Sequence, residues 1–139
     1  MKVTLFSVEE ANRMLADLRP AVEEVVRAKQ ELARLDKRID VLTLAAAGTA
    51  PTNPDARELV TSVERRSRLV QRIQRGILSI QERGPVVKDL DRGLIDFYSL
   101  SGDRLVFLCW HLGENEIGHW HTLEGGFATR QPLHSSGKE

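Results

Sequence analysis

Residues 7–46 read SVEEANRMLADLRPAVEEVVRAKQELARLDKRIDVLTLAA, and this stretch decides the fold. Its apolar side chains recur in alternating steps of three and four residues: Ala11, Met14, Leu18, Ala21, Val25, Ala28, Leu32, Leu35, Ile39 and Leu42. Such a series is the seam of a helix that packs against another helix. Ser7 and Glu10 can form a capping box at its start, and Pro20 predicts a kink or two abutting helices.

A second amphipathic stretch follows a loop, residues 48–54, that contains a glycine and two prolines. Its seam positions have the same spacing, with one arginine among them: Leu59, Val63, Arg66, Val70, Ile73, Ile77 and Ile80. Two such helices joined by a short loop bury their stripes by folding into an antiparallel hairpin. We therefore predict a helical hairpin over residues 1–83, with helices at about residues 7–46 and 55–83.

Beyond residue 84 the composition changes, because this part holds both tryptophans, all four histidines and the single cysteine. Residues 104–112 and 117–122 have the β-branched and aromatic character of strands, and two shorter strands are expected before them. The sequence predicts a small antiparallel sheet of three or four strands over residues 84–133, followed by a flexible tail, residues 134–139. A helical hairpin followed by such a sheet belongs to the α+β class.

The register of the last strand pair decides whether these polar side chains meet, since a one-residue slip moves each of them to the opposite face. If the loop is residues 114–116, His111 pairs with His119 and Cys109 with His121. All four then share one face, close enough to bind one zinc ion. A loop of two or four residues places a tryptophan opposite His119 and splits the cluster. The structural alternative is a half-buried strand in which histidine and cysteine serve packing alone.

Acidic residues near this cluster could add a ligand or a general base. The candidate metal ligands are His111, Glu114, His119, His121 and Cys109, and zinc or another divalent transition metal is the expected ion. The sequence contains no phosphate-binding loop, nucleophile elbow or HExxH motif. Whether the protein is an enzyme stays open, and the absence of these motifs favours a protein without catalytic activity.

The charges balance overall, with 20 basic and 20 acidic residues, so there is no general attraction to nucleic acid or to anionic membranes. The second helix is nevertheless basic, with Arg57, Arg65, Arg66, Arg68, Arg72, Arg75 and Arg83. These arginines either pair with acidic residues of the first helix, Glu23, Glu24, Glu31 and Asp36, or form a stripe that contacts phosphates. Nucleic-acid binding is the less favoured alternative, because this helix lacks aromatic residues that would stack on bases.

The chain has one cysteine, no apolar signal segment near its start and no run of about 18 apolar residues. We therefore expect a cytoplasmic protein without membrane contact. The hairpin alone leaves part of its long seams uncovered, so we favour self-association, most simply as a dimer. The alternative is a monomer whose hairpin packs only on its own sheet.

A distinctive run occurs in the C-terminal part: Cys109-Trp110-His111-Leu112-Gly113-Glu114, then Ile117, Trp120-His121, Gly126-Phe127, Arg130 and Pro132. With the opening residues 6–12 and the stretch 87–97, it resembles an uncharacterised family of small bacterial proteins, known only as a domain of unknown function. The resemblance covers nearly the whole chain and implies no established activity. It points to Trp110, Gly113, Glu114, Trp120, His121, Gly126, Phe127 and Arg130 as the positions of interest.

The resemblance and the residue types together define a candidate functional surface, consisting of Trp110, Glu114, Trp120, His121 and Arg130. Within it, Glu114 and His121 could hold a metal or a proton, and Arg130 could pair with Glu114 or bind an anionic ligand. The sequence does not identify the biological role. We expect an interaction or scaffold protein that binds a protein partner on this surface, because tryptophan and arginine often anchor interfaces. A metal-binding protein or metal-dependent enzyme is the alternative, and a nucleic-acid binder is the further one.

Overall fold

The computed structural model describes residues 3–133, and the tail predicted at residues 134–139 lies outside the described residues. The chain forms two helices, α1 (Val8–Ala46) and α2 (Pro54–Glu82), and neither has the length and apolarity needed to cross a membrane. Five strands follow: β1 (Val86–Asp89), β2 (Leu94–Ser101), β3 (Arg104–His111), β4 (His119–Thr122) and β5 (Gln131–Pro132). They form one antiparallel sheet in sequence order, which confirms the α+β class with its helical hairpin.

The sheet has five strands in the described part of the chain, where the sequence predicted three or four. The additional strand is β5, which pairs through two residues, Pro132 opposite His119 and Gln131 opposite Trp120. Two residues are too few for an alternating pattern to be visible in a sequence. Proline is also a poor strand signal, although it is tolerated at the edge of a sheet, where β5 lies.

Helix α1 is continuous through Pro20, so two abutting helices do not form. It starts at the predicted capping box, in which Ser7 Oγ accepts a hydrogen bond from the Glu10 N–H at 3.0 Å and Glu10 Oε1 accepts one from the Ser7 N–H at 2.8 Å. Its buried residues are Ala11, Leu15, Leu18, Val22, Val25, Val26, Ala28 and Leu42. This stripe is wider than the predicted seam because α1 packs against the sheet as well as against α2.

Helix α2 faces α1 through a stripe that shares Ile73 and Ile80 with the predicted one and differs from it nearer the start of the helix. Val63 is half exposed, and Arg66 is also exposed and donates a hydrogen bond to Asp36 at 2.6 Å. The buried residues of α2 are Ser62, Leu69, Ile73 and Ile80. The prediction followed large side chains at heptad spacing, whereas small residues occupy part of the contact. At Gly76 an added Cβ would collide with Val25 Cγ2, so the two helices approach closely there.

Three ion pairs flank the helix contact at seven-residue intervals. They join Glu24 to Arg72, Glu31 to Arg65 and Arg38 to Glu58. Residues seven apart lie on the same side of a coiled helix, so these pairs follow one flank of the hairpin. Exposed ion pairs add little stability, but opposite charges in a regular series favour one alignment of the helices. Pairing with α1 therefore accounts for Arg65 and Arg72, and this weakens the case for a phosphate-binding stripe.

The sheet packs its inner face on the helices through Ile95, Phe97, Leu108 and Trp110. On the outer face, Cys109 is opposite His119 and Phe107 is opposite His121. The predicted register, with His111 opposite His119, is wrong by two residues. Because the error is an even number of residues, the cysteine and the histidines still share one face.

The register differs because the loop between β3 and β4 spans residues 112–118 and bonds to helix α1. Arg19 donates hydrogen bonds to the backbone oxygens of Glu114 and of the next residue, at 3.1 and 2.9 Å. The Asn12 side chain accepts one from the N–H of Ile117 at 2.7 Å. These partners are 95 to 105 positions apart in the chain, so a local reading of the sequence cannot reveal them.

The substitution Gly76→Ala tests the close helix approach. We expect it to lower the free energy of unfolding by about 1–3 kcal/mol, because the new methyl group collides with Val25. Helix propensity acts in the opposite direction by about 1 kcal/mol. Urea denaturation followed by circular dichroism measures the change. In a Val25→Ala background the same substitution has room and should be neutral or stabilising; an equal loss there would show that the collision is not the cause.

Candidate functional site

The predicted functional surface is divided between the two faces of the sheet. Trp110 has no exposed surface; its Nε1–H donates a hydrogen bond to the backbone oxygen of Glu114 at 2.9 Å, and the Arg19 guanidinium lies 5.5 Å from the centre of its ring. Trp110 therefore supports the loop that carries Glu114 and does not face solvent. His121 lies on the outer face of the sheet, where Glu114 and Arg130 form an ion pair.

Trp120 is partly exposed on the inner face, at the end of the sheet that the helices leave uncovered. It lines a groove of about 760 Å³ between the start of α1 and strands β2 to β4. Apolar residues of this groove include Leu100, Val106 and Ile117, and Glu9 and Glu116 supply negative charge. Trp120 is thus separated from His121 by the thickness of the sheet, although the two are neighbours in sequence.

Glu114 is the centre of a polar cluster on the outer side. Arg130 donates two hydrogen bonds to its carboxylate, at 2.8 and 3.2 Å, and the His111 backbone N–H donates a third at 3.0 Å. The imidazoles of His111 and His119 lie 3.7 and 3.6 Å from Glu114 Oε2. Burial raises the pKa of Glu114, but the hydrogen bonds from Arg130 and His111 outweigh it and leave the pKa below its usual value. The carboxylate is therefore firmly ionised at neutral pH.

A second cluster consists of Asp96, Cys109 and His121, each at most 2% exposed. One ligand atom from each residue lies within 4.8 Å of the others. The residues come from three adjacent strands, β2, β3 and β4, whose pairing brings them together. Lys88 of the edge strand β1 places its Nζ 3.5 Å from Asp96 Oδ2. The cluster thus combines oxygen, sulfur and nitrogen ligands in an enclosed volume.

Contacts of both ring nitrogens fix the orientation of the His121 side chain. Its Nδ1 lies 2.8 Å from the backbone oxygen of Thr122, which can only accept a hydrogen bond, so Nδ1 carries a proton. Its Nε2 then faces Asp96 Oδ2 at 3.0 Å, and this contact needs either a shared proton or a cation. A histidine that donates one ring N–H to a backbone carbonyl and turns the other nitrogen inward is typical of metal ligands.

The Cys109 thiol is protonated at neutral pH in this environment. Burial, together with the negative charge of Asp96, raises its pKa to about 12, and the nearby Arg130 opposes this only in part. The guanidinium Nη1 of Arg130 is 3.9 Å from the sulfur. A thiol in this state is a poor nucleophile, because the thiolate is the reactive form. Cysteine-nucleophile catalysis is therefore disfavoured, whereas a bound cation would remove the thiol proton directly.

Asp96 Oδ1 is buried and has no hydrogen-bond partner among residues 3–133. Leaving a buried acceptor unsatisfied costs about 1–3 kcal/mol, and more for a charged group. The same carboxylate already faces His121 through its other oxygen. Oδ1 therefore has the capacity for one further contact with a positively charged partner.

The predicted metal ligands fall into the two clusters. Cys109 and His121 lie with Asp96, whereas His111, Glu114 and His119 lie together beside Arg130. Asp96 was missed because the prediction considered only residues beyond position 108. A signal was present: Asp96 is the single charged residue in the otherwise apolar run Leu94-Ile95-Asp96-Phe97-Tyr98. A lone carboxylate at a strand position flanked by large apolar residues indicates a buried charge that needs a partner.

Comparison with known proteins identifies the family to which the chain belongs. The sequence model of a family of uncharacterised conserved proteins, DUF2203, matches residues 4–133. The chain belongs to the DUF2203 family. No curated protein and no solved structure matches it. The DUF2203 match includes the hairpin, the sheet and every residue of both polar clusters, and the family description assigns no activity.

The ion pair between Glu114 and Arg130 gives a test of the outer side of this DUF2203 protein. We expect Glu114→Gln to lower the free energy of unfolding by about 2 kcal/mol, because it leaves the mostly buried Arg130 without a carboxylate. Glu116→Gln, two residues along the same loop and exposed, is the control and should change stability by less than about 0.5 kcal/mol. Urea denaturation measures both. Equal effects of the two substitutions would contradict a structural role for the Glu114–Arg130 pair.

Proposed function

We propose that this protein binds a divalent transition metal, zinc being the best fit, through Asp96, Cys109 and His121. The observation that carries the proposal is the arrangement of Asp96 and His121. One carboxylate oxygen is buried and has no hydrogen-bond partner within residues 3–133, and the His121 nitrogen that faces the carboxylate is the one left free by the bond to Thr122. A cation bound between these residues and the sulfur would satisfy all three.

The ligand types select the metal. Zinc commonly takes thiolate sulfur, imidazole nitrogen and carboxylate oxygen together, with bonds of about 2.0–2.3 Å. Magnesium and calcium prefer oxygen ligands alone, so the cysteine and the histidine argue against them. Two ligand atoms with bonds near 2.05 Å in tetrahedral geometry lie about 3.3 Å apart. The 3.0 Å between Asp96 Oδ2 and His121 Nε2 is close to this value, and one ligand atom from each of the three residues lies within 4.8 Å of the others.

The burial of the three residues favours a structural or sensing role over catalysis. A catalytic metal needs a position that a substrate can reach, and Asp96, Cys109 and His121 are almost completely enclosed. A metal that joins strands β2, β3 and β4 would hold the sheet together, since binding energy at such a site becomes folding energy. The competing explanation is a metal-free ion pair, in which His121 and Lys88 alone balance Asp96.

Metal content and metal affinity distinguish these explanations. Untagged protein is analysed for zinc, iron and copper, then stripped with a chelator and titrated with Zn²⁺ against a competing indicator. We expect one metal ion per chain and an affinity at least about 10-fold lower in Cys109→Ser and in Asp96→Asn, because even the loss of a group that only supports a ligand costs about 10–100-fold. His111→Asn, on the same face but outside the three ligands, is the matched control and should bind as the unmodified chain does.

Two outcomes would contradict the proposal. If the unmodified protein takes up no transition metal after stripping and reloading, the ion pair is the whole explanation of the cluster. If His111→Asn weakens binding as much as Cys109→Ser does, the metal lies in the Glu114 cluster. Loading with Co²⁺ gives an independent readout, because a cysteine ligand produces a sulfur-to-cobalt charge-transfer band that should be absent in Cys109→Ser.

A second candidate function is self-association through the groove that contains Trp120. This groove is the part of the inner sheet face that the helices leave open, and Leu100 beside it is more than half exposed. A second copy that covers it would bury apolar surface, which favours association. Light scattering of the unmodified chain should give the mass of a dimer, and Leu100→Asp should return it to a monomer. A monomer in both cases would remove this candidate.

A further inference from the structure

His119 lies beside the proposed metal site but is not one of its three clustered ligands. It is directly opposite Cys109 in the β3–β4 pair, and residues so opposed have Cβ atoms about 4.5–5.5 Å apart. Its Nδ1 is buried and, within the described part of the chain, makes no hydrogen bond, although Glu114 Oε2 is 3.6 Å away. A buried ring nitrogen in this state carries an unmet requirement for a partner.

The three clustered residues leave one coordination position to fill. Zinc sites with a structural role are almost always four-coordinate, and sites with three protein ligands keep a water in the fourth position. A water in an enclosed site needs two to four polar partners of its own. Asp96, Cys109 and His121 would already be committed to the metal, so they provide few such partners. A fourth side chain is therefore the simpler way to complete the site.

We infer that His119 is the fourth ligand, which makes the site a closed one of Asp96, Cys109, His121 and His119. This inference rests on the proposed function. The imidazole of His119 turns from Glu114 towards Cys109, and Glu114 keeps its two hydrogen bonds to Arg130. Metal binding thereby removes one of the two histidines beside Glu114, so that one side chain passes from the Glu114 cluster to the metal site.

His111 is the matched comparison for His119. It lies 3.7 Å from the same oxygen of Glu114, and it projects from the same face of the sheet. Its Nδ1, however, already has a partner in the backbone oxygen of Leu112 at 2.9 Å, whereas the Nδ1 of His119 has none in the described residues. It also lies beyond the last residue pair of strands β3 and β4, further from the cluster. His111 should therefore remain beside Glu114 when metal binds.

The experiment uses the full, untagged chain loaded with Co²⁺, with azide as the probe for an exchangeable position. In the unmodified chain we expect the absorption spectrum of four-coordinate cobalt, unchanged by azide. His119→Asn opens the fourth position to water, so azide should shift its spectrum. Its Zn²⁺ affinity should fall by at least about 10-fold, the lower end of the cost of losing a group that only supports a ligand. His111→Asn should match the unmodified chain in spectrum, azide response and affinity.

A second measurement needs no variant, so it tests the inference even if His119→Asn does not fold. X-ray absorption at the zinc edge of the unmodified protein counts the sulfur and imidazole ligands. We expect one sulfur and two imidazoles. One imidazole, or an azide response in the unmodified chain, would overturn the inference while leaving the three-ligand site in place. If the unmodified chain binds no metal at all, the proposed function fails and the inference fails with it.

Discussion

Helix α1 contacts two partners at once, helix α2 and the sheet, and the positions of the site residues depend on this double contact. Towards α2 it packs Val25 against the space left by Gly76. Towards the sheet it holds the 112–118 loop through Arg19 and Asn12. That loop sets the register of β3 and β4, and the register brings the cysteine and the histidines together. The predicted three-residue loop, residues 114–116, would shift every cross-strand pair by two residues.

Some of this architecture can be predicted from the sequence because it depends on local spacing. The seam of α1 is a pattern of period 3.5, and Ser7 with Glu10 is a local signal, so both are visible in one stretch. The contact stripe of α2 was predicted less well, since Ser62 and Gly76 face the partner helix and small residues give no hydrophobic signal. The strand register could not be predicted, because it depends on the distant side chain of Arg19. The partners of Asp96 could not be predicted either, because they depend on the same register. Its unusual position in an apolar run can be recognised in the sequence.

The outer face of the sheet is not explained by stability alone. On the inner face the same strands bury Ile95, Phe97 and Leu108, so these strands can form a fully apolar layer. Burying a carboxylate such as Asp96 costs several kcal/mol of desolvation even when it is paired, and apolar replacements of buried ion pairs are often at least as stable. A second apolar layer would therefore be the simpler solution. The buried polar residues on the outer face are the ones to which we assign metal binding in the proposed function.

Because of the charges in the two clusters, a divalent cation can replace two bound protons without a change in the total charge. The contact between Asp96 and His121 requires one shared proton, and the Cys109 thiol carries a second because its pKa lies near 12. Replacing these two protons by one divalent cation leaves the total charge of the buried region unchanged. Arg130, which lies near both the sulfur and Glu114, would then have an anionic partner on each side. The surrounding chain would need no new counter-ion and no new buried charge, so occupancy could change without rebuilding the sheet.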